Sequence, residues 1–319
     1  MIVDVFTRTW ESSDWLGEQL LSQLRRIYPE PWQRPSASST SHQDAMNKVD
    51  LAFVLGFESR LLGASICNEK VAEYIRQHPG KLVGFACIDP SKGKIADQFK
   101  QASSLGFKGI TISPAGQGFH PVDSRVMCLY QLCQDHKLPV IIESAGTIAA
   151  STVLAFDRPY LVDEVARHFP QLKMIISGFG DPWIDETLAL LVKHRQVYTD
   201  ISGLINRPWQ LYNALLQAHQ RGVMNQILFA SHFPFCTPEI AIKTLYSVNT
   251  LVHGSNLPNV PREQLRSIVE RDVIKCLEMD VEVLHQEKPE LPSHGEITIT
   301  ETGKQVPTPK ESKLPEAAV

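Results

Sequence analysis

Four side chains in this sequence fall where an apolar run ends and have the types needed for acid–base or anion chemistry: Arg8, Glu143, Asp200 and His232. Arg8 follows Ile2–Phe6, Glu143 closes Pro139–Glu143, Asp200 lies within Val197–Ile201, and His232 follows Gln226–Ser231. A guanidinium can hold a carboxylate through two parallel hydrogen bonds. An imidazole changes charge near neutral pH and can serve as general base or acid. Asp200, in Tyr198-Thr-Asp-Ile-Ser202, can orient His232 or a ligand. Glu143 is the counter-charge that a buried Arg8 requires, because an unpaired buried charge is costly. The same pair also has a purely structural reading, as an ion pair that plugs a disused site.

Other candidates are weaker. Ser144 lacks the GxSxG elbow of an activated serine, and Ser231-His232 has no recognisable triad order. Gln117 and His120 lie in the loop after Gly109–Ser113, and Trp183 follows Pro182. Each could touch a ligand, although a solvated loop or a packing role is the ordinary reading. The six cysteines (Cys67, Cys87, Cys128, Cys133, Cys236 and Cys276) form no CxxC pair. That pattern suits buried free thiols in a cytosolic chain rather than a disulfide framework. Neither GxGxxG nor GxxxxGK[ST] occurs, so no phosphate-cradling glycine loop is expected.

These residues need a scaffold, and eight short apolar runs supply it: Ile2–Phe6, Leu51–Leu55, Leu82–Ile88, Gly109–Ser113, Pro139–Glu143, Met174–Ser177, Val197–Ile201 and Gln226–Ser231. Several are apolar almost throughout, as strands buried on both faces should be. Helical periods alternate with them, such as Leu16, Leu20, Leu24 and Ile27 on one face of a first helix. A last helix is expected from about Arg262 to Met279. Strand–helix alternation of this kind predicts a (β/α)₈ TIM barrel over residues 1–285, with a doubly wound open sheet as the alternative. Pro29–His42 reads as a long Pro/Ser-rich loop, and residues 286–319 as a flexible, disordered polar tail.

The chain has 319 residues, 43% hydrophobic and 21% charged, with a net charge of -4. This balance excludes a fibrous or wholly disordered chain and gives no basic excess for nucleic acid. No apolar run is long enough for a transmembrane helix, and the first residues lack the basic start of a secretory signal. A cytoplasmic protein is the expectation.

Lys81-Leu-Val-Gly-Phe-Ala-Cys-Ile-Asp-Pro90, and Gly106-Phe-Lys-Gly-Ile-Thr-Ile-Ser-Pro114 with Gln117-Gly-Phe119, resemble the third- and fourth-strand motifs of the amidohydrolase-related family, the decarboxylase-like branch of the metal-dependent TIM-barrel hydrolases. Asp123, Arg125, Leu129, Tyr130, Arg158-Pro159, Asp163 to Ala166, Phe169-Pro170 and Gly180-Asp-Pro-Trp183 continue the likeness. Ile227-Leu-Phe-Ala-Ser231 with Phe233-Pro234 resembles the eighth-strand motif. The resemblance spans roughly residues 1–280 and implies an amidohydrolase-like barrel, often oligomeric, working at the C-terminal strand ends.

That family's chemistry depends on a metal, and the positions that match its ligands are changed here. Phe6 and Arg8 stand in place of His-x-His, and Thr111 and Ser113 in place of a lysine or histidine. Glu143 and Gly178 each replace a histidine, and His232 replaces an aspartate. None of the 11 histidines forms His-x-His or HExxH. The sequence therefore predicts no metal and no other cofactor. It favours a pseudoenzyme serving as a binding or scaffold subunit, as a homo-oligomer or within a larger assembly. Two other readings stay open: a metal-free hydrolase or decarboxylase acting on a small carboxylated substrate through Arg8, Glu143, His232 and Asp200, and a small-molecule sensor. A filled barrel mouth would mark the scaffold; an open polar pocket would mark the enzyme or sensor.

Overall fold

The architecture was read from a computed structural model that describes residues 1–27, 37–144 and 149–281. Eight parallel strands form one sheet: β1 (Val3–Thr7), β2 (Leu51–Leu55), β5 (Leu82–Cys87), β6 (Gly109–Ile112), β7 (Val140–Ile142), β8 (Met174–Ile176), β9 (Val197–Asp200) and β10 (Ile227–Leu228). The sheet curls almost to closure. Val5 N–H donates to Phe229 O at 3.1 Å, Arg8 N–H donates to Phe233 O at 3.1 Å, and Thr7 bridges Phe233 in parallel. The eight apolar runs are thus the eight barrel strands, and this is the TIM-barrel architecture.

The strands are buried along their whole length because both faces are covered. Residues alternate between an inner core and an outer one. Val3, Val5, Phe53, Leu55, Val83 and Phe85 pack inside the barrel, while Ala52, Val54 and Ala86 pack against the helices. Phe53 and Phe85 stack at 4.6 Å. Gly109 leaves room for the Phe85 ring, since a Cβ there would lie 2.1 Å from it.

A two-stranded hairpin, β3 (Phe57–Ser59) and β4 (Ala64–Ile66), stands over the end of β2. The sequence reading did not contain it, because three residues per strand are too few for a period. Helix α1 (Glu18–Ile27) carries Leu20 and Leu24 inward, and Leu16 precedes it in a short 3-10 turn. The Pro/Ser-rich segment is not all loop. Helix α2 (Ser39–Ala45) begins there, with Ser38 accepting from Ser41 N–H at its cap; residues 28–36 lie outside the described residues. The expected final helix is two: Arg262–Glu270 and Val273–Cys276, parted at Arg271-Asp272, where the Asp272 carboxylate caps the second. The break lets Val273, Leu277 and Met279 join the inner core. The predicted tail, 286–319, lies outside the described residues. All six cysteines are free thiols; Cys87, Cys133 and Cys236 are buried, and Cys128 is exposed. Among the described residues no helix is long and apolar enough to cross a membrane.

Candidate functional site

Arg8 leaves the end of β1, where its backbone is tied to Phe233. Its guanidinium lies between two aromatic rings, 5.0 Å from the centroid of Phe6 and 4.8 Å from that of Phe57 in β3. Nη2 donates to Oε2 of Glu143, and Thr111 Oγ1 donates to Oε1 of the same carboxylate. Glu143 is held from behind by its own N–H, which donates to Ile112 O at 2.8 Å and prolongs the pairing of β6 with β7. The carboxylate side chain is 6% exposed and the arginine side chain 15%. Sequence reasoning paired these two residues across 135 positions, and the structure brings them together. It missed Phe57, which sits in the unforeseen hairpin.

His232 follows β10 with a left-handed backbone, φ 65°. Its ring meets Phe6 edge-on at 5.4 Å and lies 4.9 Å from Phe235. Burial, then the nearby Arg8 charge, lowers its pKa to about 3. The imidazole is therefore neutral at physiological pH and lacks the imidazolium proton of an ordinary histidine general acid. Asp200 is fully buried behind the strand ends. Its Oδ1 accepts from Gly178 N–H at 3.0 Å, from Ser202 N–H at 2.9 Å and from the Ser202 hydroxyl. Burial raises its pKa to about 6. Through Oδ1 this carboxylate braces the loops after β8 and β9, including Ser202, whose backbone hydrogen-bonds His232.

Arg8, Glu143 and His232 share a cavity of about 610 Å³ at the C-terminal strand ends. Trp10, Leu16, Leu20, Leu24, Phe57 and Ile66 contribute apolar wall. Arg207 and Asp181 contribute a second ion pair at its edge, 2.7 Å apart. Ser144 lines the cavity too, and its hydroxyl donates to Asp157 at 3.0 Å. The other sequence candidates are elsewhere. Gln117 is buried, donating to Glu58 O and Ile88 O and accepting from Ser113 N–H. His120 packs against Phe156 at 5.5 Å, and Trp183 lies 5.9 Å from the Arg158 guanidinium.

One buried charge escaped the sequence reading. Asp4, in the middle of β1, accepts from Ser231 N–H at 3.0 Å and Phe6 N–H at 3.2 Å. Burial raises its pKa to about 7. It ties β1 to the segment that presents His232. The signal was present, since an aspartate inside an otherwise apolar strand is rarely idle.

A divalent ion does not fit this donor set. Phe6 has no lone pair to give, and Arg8 is a fixed cation in the same space. Both Glu143 oxygens are engaged by Arg8 and Thr111. Position 178 admits no side chain in this conformation. Gly178 has φ +58°, and a Cβ there would lie 2.8 Å from Gly203 Cα. Among the described residues, no three His, Cys, Asp or Glu side chains gather so as to hold an ion.

The family model for amidohydrolases matches residues 32–271. The chain belongs to the amidohydrolase family. No curated protein matches it. Among solved structures, it is similar to an uncharacterized TIM-barrel protein, Bb4693, from Bordetella bronchiseptica, with 20% identity, 87% of this chain and 98% of that one covered, and a TM-score of 0.67. It is also similar to 5-carboxyvanillate decarboxylase from Sphingomonas paucimobilis, at 12% identity, 88% and 99% coverage and a TM-score of 0.61. A third is dihydroxybenzoic acid decarboxylase from Polaromonas sp. JS666 with bound manganese and 2-nitroresorcinol, at 13% identity, 87% and 96% coverage and a TM-score of 0.59. These likenesses support the amidohydrolase barrel fold.

Proposed function

We propose that this amidohydrolase is a metal-independent binding protein, a pseudoenzyme that keeps the family's pocket and uses it to hold a small molecule. The observation that carries this reading is the cavity of about 610 Å³ at the strand ends, with the Arg8–Glu143 pair where the family resemblance implies metal ligands. Its volume lies in the usual range for small-molecule sites, about 300–1,000 Å³. A pure scaffold would have filled the mouth with side chains. The catalytic alternative draws little support from the same geometry. A base with pKa about 3 is a weak proton acceptor near pH 7, and Asp200 is not among the residues that line the cavity. The family resemblance also supports a homo-oligomer, which light scattering would read.

The test takes the neighbours' chemistry directly. Purified protein is incubated with 5-carboxyvanillate and with 2,6-dihydroxybenzoate, with and without added Mn²⁺ or Zn²⁺, and product is followed by chromatography. No decarboxylation under any condition is expected, together with a melting temperature unmoved by chelator. Turnover that appears with added metal would return the chain to the metal-dependent enzymes.

A further inference from the structure

We infer that the cavity at the barrel mouth takes an uncharged molecule with an apolar body and a hydroxyl or amide end, rather than a free carboxylate. The inference rests on the mouth being a binding site, as proposed above, and adds the chemical class of its ligand.

Charge decides the first half. Among the described residues that line the cavity, the charged ones are Arg8, Glu143, Asp181 and Arg207, and they are paired two by two. Arg207 spends both Nη groups on the two Asp181 oxygens, and Nη2 also donates to Gly203 O. Arg8 spends Nη2 on Glu143, and its Cζ lies 5.0 Å from the Phe6 ring centroid and 4.8 Å from that of Phe57. Its Nε is buried and has no partner. His232 carries no charge. An entering carboxylate would lose its hydration, find among the described lining residues no cation without a carboxylate partner, and approach the Glu143 carboxylate. A neutral molecule escapes that cost.

The wall decides the second half. Trp10, Leu16, Leu20, Leu24, Phe57 and Ile66 offer a broad apolar surface from the segment after β1, α1 and the hairpin. An aromatic or alkyl body would cover it and gain roughly 25 cal/mol for each Å² of apolar area removed from water. Neutral polar groups line the remainder. The Ser144 hydroxyl donates to Asp157, and a hydroxyl oxygen that donates can also accept from a ligand O–H or N–H. Ser177, Asn206 and the His232 ring also border the space.

The experiment compares a matched pair of probes, 2-naphthalenemethanol and 2-naphthoate, by titration calorimetry on the full chain at pH 7.5. The alcohol should bind at least tenfold more tightly. A naphthoate that binds equally or better would overturn the ligand class and leave the binding function standing. Failure of both probes up to about 1 mM would overturn the binding function with it. Leu20→Trp, which fills the apolar wall, should abolish alcohol binding; retained binding would place the site elsewhere and defeat the inference. Glu143→Gln frees the Arg8 cation and should move the preference toward naphthoate by at least tenfold. An unchanged ratio in that variant would remove the charge argument. If E143Q does not fold, the wild-type pair and L20W still decide.

Discussion

Removing one member of the Arg8–Glu143 pair should be far worse than removing both. The carboxylate side chain is 6% exposed and, among the described residues, its only cationic partner is Arg8, 15% exposed. Breaking a buried pair from one side typically costs about 3–5 kcal/mol, because the survivor keeps its desolvation and loses its partner. Arg8→Met strands Glu143 with Thr111 as its remaining side-chain donor, which places that variant near 4 kcal/mol by the same rule. Glu143→Gln leaves an arginine that retains some water and two aromatic faces, so about 3 kcal/mol is expected. In the double variant no charge is left without a counter-charge. Its loss should be about 2–3 kcal/mol, well short of the summed singles, giving a coupling of roughly 4–5 kcal/mol. Urea unfolding of wild type, both singles and the double supplies all four corners of the cycle. Singles that add to within about 0.5 kcal/mol of the double would show that the two charges do not depend on one another, and the ion-pair account of the mouth would fail.

Three further outcomes follow from other buried groups. Asp4→Asn should change the pH profile: Asp4 has a folded pKa of about 7 against 3.8, so the native chain holds its proton longer than the unfolded chain and loses stability as pH rises from about 4 to about 7. Asp4→Asn should therefore gain on wild type by roughly 4 kcal/mol between pH 4 and pH 8; parallel urea stability curves at the two pH values would contradict this. His42 behaves oppositely. Its buried ring bonds Tyr74 Oη and Thr7 Oγ1, and burial lowers its pKa to about 3, so it withdraws stability as pH falls from about 6.5 toward 3. His42→Leu should flatten the acid limb by up to about 1.4 kcal/mol per pH unit, read by thermal melts from pH 7 to 4. Gly178→Ala, with φ +58° and a Cβ 2.8 Å from Gly203, should cost about 2–4 kcal/mol in urea, whereas a loss under about 0.5 would show that the loops after β8 and β9 yield freely.

How far the site was legible depends on what each feature needed in order to be seen. The barrel strands were legible because burial on both faces writes an unbroken apolar run, and strand ends in a barrel of known order converge. That is why Arg8 and Glu143, 135 positions apart, could be paired from the sequence. Asp200 shows the limit of the same logic. It ends a strand as Glu143 does, yet two backbone amides and the Ser202 hydroxyl turn it into a brace, and no residue type announces where a loop's N–H groups will point. Phe57, Arg207 and Asp181 were missed for a related reason. Each lies on a short hairpin or loop, where the sequence carries no period and position is set by tertiary contacts. The unseen groups change the functional reading more than the seen ones. Taken alone, Arg8 is an invitation to a carboxylate. With the Phe6 and Phe57 rings beside it, Glu143 as its counter-charge, and the other arginine of the described lining forked on Asp181, its charge is already balanced within the protein. An ion pair of this kind does for the barrel mouth what a plug would do electrostatically while leaving its volume open, and it is that combination, neutral but hollow, that a ligand must match.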